Sequence, residues 1–182
     1  MLRLTTFFLF LMIACSGPQN LVLPQFTELN KNYSISDFTK IGLKIGENYD
    51  NSDLPHSTSV YRGFWKDKDA DEGSARFQSL GGSVGGMRDY EIRFYENYDQ
   101  ALKFGQKYAE DATGENAVLT KKNSLWPTGI KNRRTSGGPD GSPLPKYGGY
   151  IIYANFILLC EGVNLDQSLK TCSKIIQVIN EN

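Results

Sequence analysis

The chain has 182 residues, with 20 lysines and arginines against 20 aspartates and glutamates, one histidine and no formal net charge. That balance excludes the strong basic excess of a nucleic-acid binder, so nucleic acid is not an expected partner. A chain of this length makes one ordinary domain and buries about 70% of the surface its unfolded form exposes, so folding requires neither metal nor disulfide.

Residues 1–14 begin Met1-Leu2-Arg3-Leu4 and continue as an apolar run through Ile13 to Ala14, ahead of Cys15. One positive charge before a short uncharged stretch is the layout of a secretory signal. Crossing the hydrocarbon core takes roughly 20 apolar residues, and Ser16-Gly17-Pro18-Gln19-Asn20 ends the run too early. Met12-Ile13-Ala14-Cys15 resembles the lipobox of bacterial lipoproteins, in which diacylglycerol is attached to the cysteine thiol and the leader is cut before it. Met12 stands where that motif usually has Leu, and it is bulky where a plain secreted protein, the alternative, wants a small residue. The resemblance implies a signal peptide over 1–14, acyl chains such as palmitate on Cys15, and a membrane partner reached through that anchor. It places the protein in the cell envelope, facing the periplasm or exterior. Two or more acyl chains anchor stably without spanning.

Residues 15–26 then read as a lipidated tether, with Pro18 and Pro24 discouraging regular structure, and 27–182 as the domain. Ser36 to Tyr49 predicts a first helix, with Phe38, Ile41, Ile45 and Tyr49 on one face. Val60 to Trp65 predicts a strand. Tyr90, Ile92 and Phe94 alternate with Glu91, Arg93 and Tyr95, which predicts a strand with one wet face. Asn97 with Gln100 predicts a capping box. The helix behind it carries Tyr98, Ala101, Leu102, Gly105, Tyr108, Ala109 and Ala112 on one stripe, and Gly114 closes it. Ala117 to Lys121 predicts a short strand. Asn123 to Gly149 is a long connection, of the kind that is usually functional or disordered. Tyr150 to Cys160 predicts one hydrophobic strand. A final helix follows with Leu165, Leu169, Cys172, Ile175, Ile176 and Ile179 on its apolar stripe. This order predicts a single α+β domain, a mainly antiparallel sheet with helices packed on one face, ferredoxin-like in its nearest relative. With Cys15 assigned to lipid, Cys160 and Cys172 remain an even pair in an oxidising compartment and are expected to bridge; two free buried thiols are the alternative.

Catalytic signatures are weak. Gly81-Gly82-Ser83-Val84-Gly85 matches a nucleophile elbow in letters, but no helix follows and no histidine lies downstream. It also lacks the ending of a phosphate-cradling loop. His56, the one histidine, reads as an exposed loop residue, and with two paired cysteines it cannot complete a zinc site. No carboxylate pair stands out for glycosidase-type chemistry. Asp67, Asp69 and Asp71 alternate as Ca²⁺ ligands do, yet Glu72 occupies the sharp-turn glycine position and Gln78 replaces the terminal glutamate. A solvated acidic loop is the preferred reading, so no cofactor is expected beyond a possible Ca²⁺. Lys121, Lys122, Lys131, Arg133 and Arg134 flank Trp126, a cluster that could meet anionic headgroups or an acidic partner, although a polar loop whose charges maintain solubility is the preferred reading. The connection is also readable as a lid, with Trp126 covering a ligand pocket that Glu91, Arg93 and Tyr95 line. Together these readings give a membrane-anchored, non-catalytic binding module for a protein or small molecule. A small envelope hydrolase and a Ca²⁺-dependent adhesion module are the alternatives.

Overall fold

The computed structural model describes residues 22–67, 86–136 and 142–182. In chain order the described elements are β1 (Phe26–Thr27), α1 (Ile35–Lys40), β2 (Lys44–Tyr49), β3 (Ser59–Lys66) and β4 (Met87–Phe94). A helical rod follows, built from α2 (Tyr98–Gln100), a π-helical turn (Ala101–Gly105) and α3 (Gln106–Glu110). A 3₁₀ turn (Ile130–Asn132), β5 (Arg134–Ser136), β6 (Pro143–Pro145), β7 (Tyr147–Tyr153), β8 (Phe156–Glu161) and α4 (Leu165–Glu181) complete the chain. Six strands form one sheet in the order β1-β7-β8-β4-β3-β2, antiparallel throughout except for β1 beside β7, and β5 pairs with β6 separately. The α+β class and the mainly antiparallel sheet are as expected. The order itself is not ferredoxin-like: β2, β3 and β4 run as a meander, and the β7–β8 hairpin adds to it with central strands antiparallel.

The helices divide between the two faces of the sheet instead of sharing one. On the first face α1 and α4 cover Tyr90, Ile92, Phe94, Ile151, Phe156, Leu158 and Cys160, with Phe38 packed edge-on against Phe94 and Phe156. On the second, the rod lays Ala101 and Ala109 over Tyr150, Ile152, Ile157 and Leu159. Gly105 lets the rod approach closely, since a side chain there would collide with the Tyr95 hydroxyl and Ile157. Period 2 in β7 and β8 thus feeds two cores at once, which is why these strands read as continuously hydrophobic.

Three expected elements change. The helix predicted over Ser36 to Tyr49 stops at Lys40, because Gly42 takes φ +92° and the Gly42 and Leu43 N–H groups donate back to the Thr39 and Phe38 carbonyls. This is a Schellman stop, and the chain beyond it pairs with β3 as β2. The single strand expected from Tyr150 to Cys160 is a hairpin, turned at Ala154 and Asn155 with Ala154 at φ +49°, a position glycine usually fills. The turn puts Ile152 on the face opposite Cys160, which instead shares its core with Ile151. Residues 117–121 form no strand, and their backbone is held by a Val118 N–H to Asp111 carbonyl bond.

Cys160 on β8 and Cys172 on α4 form a disulfide across a separation of 12 residues, and both are fully buried. Closing a loop of that size is expected to contribute about 3 kcal/mol. Urea unfolding of the oxidised protein against a Cys160→Ala/Cys172→Ala double variant should therefore show a loss of about that size.

Candidate functional site

The second face of the sheet changes character between its two ends. Towards β7 and β8 it is apolar under the rod, but towards β3 and β4 it carries Arg62, Asp89, Glu91 and Arg93 in register. Such groups stay buried only where each is paired. The covering element is the long connection, which crosses this part of the sheet and inserts two side chains, Trp126 and Arg133, each 1% exposed.

Trp126 packs with Tyr49, Leu54, Val60 and Tyr108, its ring edge-on to Tyr49 at 6.0 Å. Arg133 Nε donates to Glu91 Oε2 at 2.8 Å and its Nη2 to Oε1 at 3.0 Å, a two-pronged fork. Its Nη1 donates to the Trp126 carbonyl at 3.0 Å, and the guanidinium lies 4.5 Å from the Trp126 ring centre. Arg93 reaches the same carboxylate from its own strand, with Nε donating to Oε1 at 2.8 Å. Arg93 Nη2 is also 2.8 Å from that oxygen, an ion pair without hydrogen-bond alignment. Burial pushes the Glu91 carboxyl up, but the Arg133 and Arg93 charges outweigh it and hold the group below its ordinary value. Burial lowers Arg93. It also lifts the Tyr95 phenol to about 12, keeping it protonated.

One step along β4, Asp89 gathers a second knot: Arg62 Nη2 at 2.6 Å, Lys146 Nζ at 2.7 Å and the Tyr147 hydroxyl at 2.9 Å. Further fastenings pin the connection's ends. Ser124 Oγ and the Leu125 N–H donate to Asp111 Oδ2, and Asn132 Nδ2 donates to Glu47 Oε2 and to the Tyr49 hydroxyl. Between β2 and the pinned connection lies a cleft of about 260 Å³, lined among others by Glu47, Tyr49, Asp50, Lys121, Gly129 and Lys131.

Of the expected ligand residues, Arg93 and Trp126 meet beneath the connection and Tyr95 lies next along β4 beneath the rod, all three buried rather than lining an open pocket. The face of Glu91, Arg93 and Tyr95 expected to be wet is dry, because Arg133 and Trp126 cover Glu91 and Arg93 and the rod covers Tyr95. Of the basic cluster, Arg133 is buried on Glu91, while Lys121, Lys122, Lys131 and Arg134 face solvent. His56 sits exposed in its loop at φ +59° and stacks on Phe104 at 3.8 Å. Asp67 is buried and paired with Lys174 at 2.8 Å. Asp69, Asp71 and the 81–85 glycine-rich motif lie outside the described residues, as does Cys15. Sequence reasoning missed the Asp89 knot altogether. Its available signal was Asp89, Glu91 and Arg93 at period 2 in an aromatic strand, opposite charges on a face that pairs inside rather than in water.

The Glu91 pair carries a pH signature. A carboxyl held lower in the folded chain than in the unfolded one contributes stability that is complete above the unfolded value and lost as pH falls through the folded one. Glu91→Gln is expected to cost about 3–5 kcal/mol at neutral pH, because it strands two guanidiniums. In urea titrations the gap between the variant and the native protein should narrow as pH falls below the ordinary glutamate value of about 4.3, where the unfolded chain takes up a proton that folded Glu91 still resists, and should level off once the folded group is protonated too.

Neither the curated proteins nor the solved structures contain a match to the chain. A family model described as a family of unknown function, DUF6810, matches residues 34–181, a span that runs from the cap of α1 to the last residue of α4. The chain belongs to that family.

Proposed function

We propose that this protein is a lipid-anchored component of the cell envelope, held by Cys15, whose domain is a non-catalytic interaction module. The connection is its recognition surface and an acidic protein its partner. One observation carries the reading: Trp126 is buried while its neighbours Leu125 and Pro127 face solvent, with Leu125 54% exposed. Fixing the connection through Trp126, Arg133 and Asn132 holds an apolar side chain out in water on the same segment as the exposed Lys121, Lys122 and Lys131. A segment already ordered loses little entropy on binding, and exposed lysines beside an apolar contact favour an acidic partner surface. The disulfide in the core is consistent with an oxidising compartment.

The hydrolase alternative draws no support from this layer, since Glu91 and Asp89 are each saturated by cations and neither faces an open cavity. For the Ca²⁺ alternative, the Lys174 ion pair already occupies Asp67.

Two measurements test the proposal. In detergent phase separation the native protein should enter the detergent phase and a Cys15→Ser variant the aqueous one; native protein that stays aqueous with its leader intact removes the anchor. A photo-crosslinking residue placed at Leu125 should give one discrete adduct in intact cells, while the same residue at exposed Gln177 on α4 gives none. If position 125 yields no adduct, the connection is not a recognition surface.

A further inference from the structure

Beneath the connection, hydrogen-bond donors outnumber acceptors. Arg93 Nη1 and Nη2, Tyr95 Oη and Trp126 Nε1 are buried without a hydrogen-bond partner among the described residues. They are neighbours. The Arg93 guanidinium is 5.3 Å from the Trp126 ring centre. Tyr95 follows Arg93 by two residues on the same face, and its phenol senses both the Arg93 charge and Tyr108, which packs on the Trp126 cluster. Gly105, in the π-helical turn of the rod, closes over the Tyr95 hydroxyl. Such turns within helices concentrate at functional sites.

The charge is one-sided as well. Glu91 faces two buried guanidiniums, Arg93 and Arg133, and the neighbouring Asp89, with the buried Glu161 carboxylate beside it, is already balanced by Arg62 and Lys146 and has no charge to spare for them. A guanidinium and an indole N–H only donate, and folded interiors rarely leave such groups without an acceptor. A water molecule would accept two of these bonds but bring two hydrogens needing acceptors of their own. An anion accepts only, and it neutralises the surplus positive charge.

We propose that this cluster binds one small monovalent anion of the halide class, held by Arg93 Nη1 and Nη2 with Trp126 Nε1 and the Tyr95 hydroxyl as further donors. Full enclosure selects a small, singly charged guest over sulfate or phosphate, whose extra charge and oxygens would need more donors than the cluster has. The ion links β4 to the connection, so the surface above it becomes firmer when the ion is bound. This inference is independent of the anchor and of the partner.

The test is thermal melting of the purified protein at constant ionic strength, with gluconate replaced stepwise by chloride. The midpoint should rise saturably, by about 3 °C or more once chloride exceeds its dissociation constant tenfold. Crystals grown in bromide should show anomalous density beside Arg93 Nη1. Tyr95→Phe keeps the ring and removes one donor, so it should weaken half-saturation by about tenfold. Trp126→Phe should act in the same direction. Arg93→Met should abolish the effect, and where that variant fails to fold the two conservative ones still decide. Equal midpoints in chloride and gluconate with no bromide peak overturn the site. So does a chloride effect that never saturates, or one that both conservative variants leave unchanged, because either marks a general salt effect.

Discussion

Three N–H groups converge on the buried Glu91 carboxylate, two from Arg133 and one from Arg93, and Arg133 comes from 42 residues further along the chain. Removing a carboxylate and two guanidiniums from water costs several kcal/mol per ion, offset only when geometry and hydrogen bonds are nearly complete. The fork supplies that geometry for Arg133, and the strand supplies it for Arg93. Everything distinctive about the second face follows: the connection must cross the sheet where Glu91 is, Trp126 must fill the space beside the fork, and the 3₁₀ turn must reach β2 through Asn132. Without this carboxylate Arg133 loses its anchor, and only the packing of Trp126 and the bonds to Asp111, Glu47 and Tyr49 remain to hold this part of the connection.

The first face makes such a demand tolerable. There the core is apolar and aromatic, with Phe38 edge-on to Phe94 and Phe156, these two tilted against each other, and α4 bonded covalently to β8 through Cys160 and Cys172. Asn155 fastens the β7–β8 turn to the chain before α1, accepting from the Tyr33 N–H and donating to the Tyr33 and Tyr95 carbonyls. A sheet braced in this way keeps β4 fixed between β3 and β8, so the register of Asp89, Glu91 and Arg93 is set by strand pairing and not by the connection. The two faces divide the work: one supplies hydrophobic stability, the other spends part of it on placing a loop.

Legibility in the sequence followed how local each determinant is. The α4 stripe, the Asn97 cap and the β3 and β4 strands all depend on residues within a turn or two, and they read correctly, whereas the helix expected to close at Gly114 ends at Glu110, and Gly114, at φ +76°, donates its N–H to the Tyr147 carbonyl instead. The disulfide was readable because, once Cys15 is read as a lipid site, two cysteines remain, one on an apolar strand and one on the apolar stripe of the helix that follows it. The β7–β8 hairpin was hidden because Ala154 adopts a positive φ with no glycine or proline to mark it. The first helix misread because Phe38, Ile41, Ile45 and Tyr49 keep helical spacing across Gly42, which ends the helix in fact. The site was half legible. Arg93, Tyr95 and Trp126 were expected together, but as the lining of a pocket. What turned lining into filling was Arg133, whose pairing with Glu91 spans too much sequence for periodicity to show.

An apolar plug of the same volume would hold the connection about as tightly, since buried ion pairs add little net stability over well-packed hydrophobic side chains. It would not fix which residue sits where. A greasy surface accepts a loop in several registers, whereas a fork on one carboxylate accepts Arg133 in one orientation, and Arg133 in turn holds the Trp126 carbonyl. Fixing that carbonyl fixes the backbone on either side of it, and therefore the direction in which Leu125 and Pro127 project. The polar layer is thus explained by the surface above it: charges are kept inside so that a particular set of side chains is presented outside in one arrangement.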